Sequence, residues 1–144
     1  MKMQSWVIYG LIAAVCFGVT NVLFKIAQQK GSLSPYYLSF LIAFGAVLVS
    51  GLFLIFNPDF QFELKSNSLA LAAGIIWAIG MIVVAVAITQ KADISRLAPI
   101  FNTNTLITVL LGIIFLNEIP DASQMIRVVG GAVLIVIGAI LVSI

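Results

Sequence analysis

Polar side chains inside long apolar runs are the residues of this 144-residue chain with the capacity for chemistry. A polar group surrounded by hydrocarbon is expensive and is kept for binding, coupling or helix contact. In the first run Gly18, Asn21 and Lys25 recur at a spacing that puts them on one helix face. Lys25 either snorkels to the water interface or meets an anionic group. Asn21, deeper in the run, either ties two helices together or faces a solute path. A later run carries Asn102, Thr103, Asn104, Thr105 and Thr108. At roughly 100° per residue, Asn102, Asn104, Thr105 and Thr108 fall within an arc of about 160°, with Gly112 in the same arc. These residues either line a path or hydrogen-bond to a neighbouring helix, a common use of Asn and Thr in membranes. Trp77, central in its run, forms either a cavity wall or a packing contact with Gly74 or Gly80.

Pro99 modifies the second set. It has no N–H, so the carbonyl of Ser95 loses its helical donor. A freed carbonyl is tolerated where a helix faces protein or water rather than lipid. Pro99 is therefore expected to be a kink or hinge in an interior-lining helix. Thr103 lies outside the polar arc, four residues on, and its hydroxyl is expected to bond back to the Pro99 carbonyl.

Several chemistries are excluded. The chain has no histidine, so no imidazole relay is available. Its one cysteine, Cys16, cannot form an internal disulfide and reads as a small buried apolar residue. Without a nucleophile–base pair or a metal-ligand cluster, no enzyme activity, cofactor or metal is expected. The dispersed net charge of +2 does not suit a nucleic-acid reader. Asp59, Glu63, Asp93, Glu118 and Asp121 all fall at the ends of runs or in loops. With no acid at mid-run, proton exchange against an organic cation is disfavoured. A neutral, zwitterionic or anionic substrate, or uncoupled movement, is expected instead.

The elements that hold these residues must be membrane spans. The chain is 62% hydrophobic and 8% charged, against about 25% charged in soluble domains. Runs of about 20 apolar residues suffice to cross a bilayer. Five are expected, at 5–27, 35–56, 69–90, 92–117 and 123–143, in an all-α membrane domain occupying 1–144. The basic start and first run continue too far, with no clear cleavage site, for a signal peptide. Pro35 opens the second span, and Asn57-Pro58-Asp59 ends it. Between 59 and 68, Phe60, Phe62 and Leu64 alternate with Gln61, Glu63 and Lys65, as an interfacial strand-like segment or a helix extension would. Residues 90–93 leave only a tight turn, and Pro120-Asp121 precedes the last span. Trp6, Tyr9, Tyr36 and Tyr37 suit an aromatic belt at the interface.

Five spans leave the termini on opposite sides. Lys2, Lys65 and Arg127 then share one side, and Lys25, Lys30, Lys91 and Arg96 the other. Lysine and arginine excess orients membrane proteins, and here the difference is a single charge. Either the chain inserts both ways up and pairs antiparallel with itself, or one early charge or a partner fixes its orientation. Many transporters place two inverted repeats around a midplane site. No second copy appears within this chain, so the inverted mate would be another molecule. The fifth run, VVGGAVLIVIGAILVS, sets Gly131 and Gly138 seven residues apart, with Ala132 and Ala139 beside them. Small residues on one face let helices approach closely. This is either a dimer seam or a packing seam within one subunit.

Three segments together resemble a known family. FGVTNVLFKIA carries Asn21 and Lys25. ISRLAPIFNTNTLITVLLGIIFLNEIP carries Pro99 and ends in Leu-x-Glu at Glu118. The glycines around LIVIG are similar to those of the last helix in EamA repeats and in small multidrug resistance proteins. In this order and spacing they resemble one EamA-type repeat of the drug/metabolite transporter superfamily. The resemblance implies movement of metabolites, often efflux, across a prokaryotic cytoplasmic (inner) membrane. Its members usually hold two repeats and ten helices in one chain, so a single repeat implies one half of a ten-helix inverted-repeat transporter. Small multidrug resistance proteins have four helices and an essential glutamate in the first; the first run here has no acid. The expectation is a multi-pass small-molecule exporter working by alternating access as an antiparallel homodimer. The alternative is a non-transporting membrane subunit that assembles with or regulates a partner transporter.

Overall fold

A computed structural model describes residues 5–58, 61–116, 118 and 121–143. Residues 1–4, with Lys2, and Asp59, Phe60, Asn117 and Pro120 lie outside the described residues. All regular structure among the described residues is helical: α1 Ser5–Gly31, α2 Pro35–Phe56, α3 Leu64–Thr89, α4 Ile94–Phe101, α5 Asn104–Phe115 and α6 Ala122–Ser143. With α4 and α5 taken together as Ile94–Phe115, five segments are long and apolar enough to cross a membrane.

The chain divides into two compact units, Met1–Lys91 and Ala92–Ile144. In the first, α2 packs chiefly on α3, and α1 meets both more sparsely. In the second, α6 packs on both α4 and α5. Few side chains are buried: Phe24, Leu38, Ser39, Ala85, Ile88, Ala132 and Ala139. Large apolar side chains such as Phe17, Phe53, Ile55, Ile126 and Leu141 are exposed along the helices. Water would not solvate such surfaces, and the acyl chains of a bilayer do so without cost.

Local chemistry explains the helix ends. α1 runs to Gly31, four residues past the expected end of its span, because Gln28, Gln29 and Lys30 are good helix formers. It stops at Ser32, whose φ of 46° is left-handed and whose N–H donates to the Gln28 carbonyl at 3.1 Å, a helix-terminating turn. Leu33 folds back over this end; a Cβ on Gly31 would lie 3.0 Å from its Cγ, so glycine permits the closure. Lys25 consequently lies nearly two turns from the helix end. α2 starts with Ser34, whose hydroxyl accepts from the Tyr37 N–H at 3.2 Å, and with Pro35 in the first turn. α3 begins at Leu64, five residues before the expected span. From Leu64 onward the connection is therefore a helix extension, and the strand-like alternative does not occur there. Ser66 Oγ donates to Glu63 Oε2 at 2.5 Å across that first turn. Cys16 is exposed on α1, not buried: α1 meets few neighbours along its length, and the thiol faces outward with the apolar side chains beside it.

Candidate functional site

The fourth span is broken in the middle. α4 contributes eight residues and α5 twelve, rises of about 12 and 18 Å. Neither crosses the roughly 30 Å of hydrocarbon alone; only in series do they span it. At the break the Thr103 N–H reaches the Ile100 carbonyl (3.1 Å), Thr105 reaches Asn102 (3.1 Å) and Leu106 reaches Thr103 (3.0 Å). These bonds run back three residues instead of four, the tighter pattern of a 3₁₀ turn. Two hydroxyls bond within the same turn: Thr103 Oγ1 to the Ile100 carbonyl at 2.7 Å and Thr105 Oγ1 to the Asn102 carbonyl at 2.9 Å. Thr103 thus does not bond back to Pro99 as expected; tightening of the turn brings the Ile100 carbonyl to it instead. Pro99 lies within α4, three residues before Asn102, so the discontinuity falls after the proline and not at it.

The polar residues of this span have distinct environments. Asn102, Asn104 and Thr108 are exposed, and Thr105 is half-buried. Thr105 satisfies its hydroxyl locally. Among the described residues, the side chains of Asn102, Asn104 and Thr108 form no hydrogen bond, so none of them bonds to another helix of the chain.

Past the end of α5 two backbone donors return to one carbonyl. The N–H groups of Leu116 (3.1 Å) and Glu118 (3.3 Å) both donate to the Gly112 carbonyl. Glu118 Oε2 then rests 3.2 Å from the place a Cβ on residue 112 would take. An open pocket of about 310 Å³ is lined by Thr108, Val109, Gly112, Ile113, Glu118 and Val128. Glu118 belongs by position to the span end, yet its carboxylate reaches the helix surface that also bears Thr108. Sequence reasoning did not put it among the site residues. The available signal was Gly112, a residue without a side chain in the polar arc, six positions before an acid.

In the first unit, Asn21 and Lys25 are half-buried on α1, and Gln28 continues the same face at the next helical repeat. Gln28 Oε1 is buried without a hydrogen-bond partner among the described residues, and its spacing from Asn21 was the signal for it. Trp77, on α3, is 47% exposed. A Cβ added at Gly74 or Gly80 would meet nothing within 4 Å, so neither glycine's Cβ position touches the indole. Gly18 also borders open space.

The small residues of α6 divide by face. Ala132 and Ala139 are buried, on the helix that packs against α4 and α5. Gly131 and Gly138 border open space. Arg96 joins the ends of the unit, its Nη2 donating to the Ser143 carbonyl at 2.9 Å and its Nε to the Val142 carbonyl at 3.3 Å. No three-residue group able to hold a metal ion occurs among the described residues.

Five segments are long and apolar enough to cross a membrane, one of them discontinuous with polar side chains at its break, as in a multi-pass membrane protein. The EamA-like transporter family model matches residues 4–144, and the chain belongs to that family. It is also 31% identical over 142 residues to an uncharacterized protein of Methanocaldococcus jannaschii, covering 99% of this chain and 98% of that one. No solved structure matches.

Proposed function

We propose that the chain moves a small molecule across a membrane by alternating access, as an antiparallel homodimer, in the export direction. The observation that carries this reading is the break at Asn102 and Thr103. Discontinuous helices in secondary transporters occur where half-helix ends and freed backbone groups meet a solute, and irregular backbone at membrane depth is tolerated only against protein or a water-filled cavity. The side chains of Asn102, Asn104 and Thr108 have no hydrogen-bond partner among the described residues, which favours lining over gluing. They line the solute path with Thr105; in the first unit, Asn21, Lys25 and Trp77 are substrate-binding residues in their own right. Pro99 softens the helix ahead of the break and acts as its hinge.

Three features support a homodimer of inverted copies. One chain has five spans, the lysine and arginine balance across them is nearly even, and Gly131 and Gly138 leave a side of α6 open to close approach. The working unit then has ten helices, in the cytoplasmic membrane of a prokaryote. A reporter fused to the C-terminus and read on both faces tests the pairing. Comparable signals on the two faces are expected; a signal confined to one face removes the antiparallel homodimer. Proteoliposomes with the purified chain alone test transport itself.

A further inference from the structure

We propose that Glu118 is a specificity-determining residue that gives the end of this path a binding site for an ammonium group on an apolar body, such as a small primary amine. The proposal rests on reading the α5 face as the solute path. Three observations converge on it. First, the Glu118 N–H donates to the Gly112 carbonyl at 3.3 Å, and the carboxylate Oε2 lies 3.2 Å from the position a Cβ on residue 112 would take. Second, the carboxylate, an acceptor of several hydrogen bonds when ionised, has no hydrogen bond and no ion pair among the described residues. Third, the pocket combines one acid and the Thr108 hydroxyl with apolar walls from Val109, Ile113 and Val128. A volume of about 310 Å³ is at the lower end for small-molecule sites.

The chemistry of these groups selects by charge. A carboxylate beside an apolar wall, at the edge of a low-dielectric region, attracts a positive head group and repels an anion. The Thr108 hydroxyl accepts a second N–H, and the valine and isoleucine side chains receive the alkyl part. Glu118 lies beyond the end of α5, so it is not an exchange acid at mid-membrane. It sets which charge enters the path, and no proton exchange is required.

The test uses the purified full chain in detergent and in liposomes, with butylammonium, 1-butanol and butyrate as matched cationic, neutral and anionic probes. Binding is read by the thermal shift that a ligand confers on the form it binds. The wild type and Glu118→Asp are expected to bind butylammonium in preference to butanol and butyrate. Glu118→Gln is expected to lose about tenfold in affinity, as befits a charge-assisted contact. Gly112→Ala, which keeps the acid and whose Cβ would meet Oε2 at 3.2 Å, is expected to lose less than Glu118→Gln. Circular dichroism establishes that each variant is folded. Equal binding of butylammonium by Glu118→Gln and the wild type, no binding by the wild type, or a preference for butyrate would each overturn the proposal. Glu118-dependent binding without flux would remove the transport reading and leave the site. Flux of any probe that ignores Glu118 would remove the site and leave the transport reading.

Discussion

The guanidinium of Arg96, in the first turn of α4, donates to the carbonyl of Ser143, in the last turn of α6, at 2.9 Å. The last carbonyls of a helix lack helical donors and carry the negative end of its dipole. α6 has no basic residue in its own last turn, so the charge comes from α4. The bond also requires Arg96 and the end of α6 to share one membrane face, as two consecutive spans demand.

Removing that cap should loosen the second unit. Arg96→Ala is expected to lower stability by about 1 kcal/mol, since hydrogen bonds from an exposed charge are partly screened by solvent. Arg96→Lys should retain part of this, keeping the charge but losing the planar fork that reaches two carbonyls. Thermal unfolding in detergent measures both. An Arg96→Ala variant as stable as the wild type would show that the cap contributes nothing.

Pro99 is expected to trade stability for movement. Pro99→Ala restores an N–H donor to the Ser95 carbonyl and should stabilise the second unit by about 1 kcal/mol or more, given a proline penalty near 3 kcal/mol in helix interiors. The same variant should slow flux by stiffening the segment before the break. Paired melting and liposome flux measurements check this. Higher stability with unchanged flux would remove the hinge role.

The three unpartnered polar side chains separate path from glue. Asn102→Ala, Asn104→Ala and Thr108→Ala should each leave unfolding within about 0.5 kcal/mol of the wild type, as substitutions without a lost contact do. Were they bonding to a neighbouring helix, each would cost about 1 kcal/mol. Thermal melts of the three variants decide between these values.

The features legible in the sequence are those set by local chemistry. The Ser34-Pro35 start and the Asn57-Pro58 stop mark α2 because capping and proline act within a few residues. The five apolar segments follow from composition and length. The break in the fourth span was harder to see. Proline 99 is visible, but the turn tightens at Asn102 and Thr103, where side-chain oxygens compete for backbone groups, and the outcome depends on which carbonyl Thr103 takes. The position of the Glu118 carboxylate was not legible, because it depends on the Glu118 N–H returning to the Gly112 carbonyl and on the absence of a side chain at Gly112. The two faces of α6 look alike as sequence: small residues stand side by side, and only packing on α4 and α5 separates Ala132 and Ala139 from Gly131 and Gly138.

That division yields a further prediction. Ala132→Leu and Ala139→Leu should destabilise the chain by about 1–3 kcal/mol through overpacking. Gly131→Leu and Gly138→Leu meet open space within the chain and should leave its fold intact while weakening self-association. Melting and crosslinking in bilayers report the two effects separately. Undiminished crosslinking of the glycine variants would exclude this face as the dimer seam.

The most direct test of the central claim is solute flux into liposomes that contain the purified chain and no other protein, compared with the Asn102→Ala/Asn104→Ala double variant. The account predicts saturable flux of a small molecule by the wild type and a loss of about tenfold or more in the folded double variant, the scale of one or two lost polar contacts to solute. No flux from the chain alone, appearing only when a second protein is added, would contradict it and make this chain a subunit of another transporter.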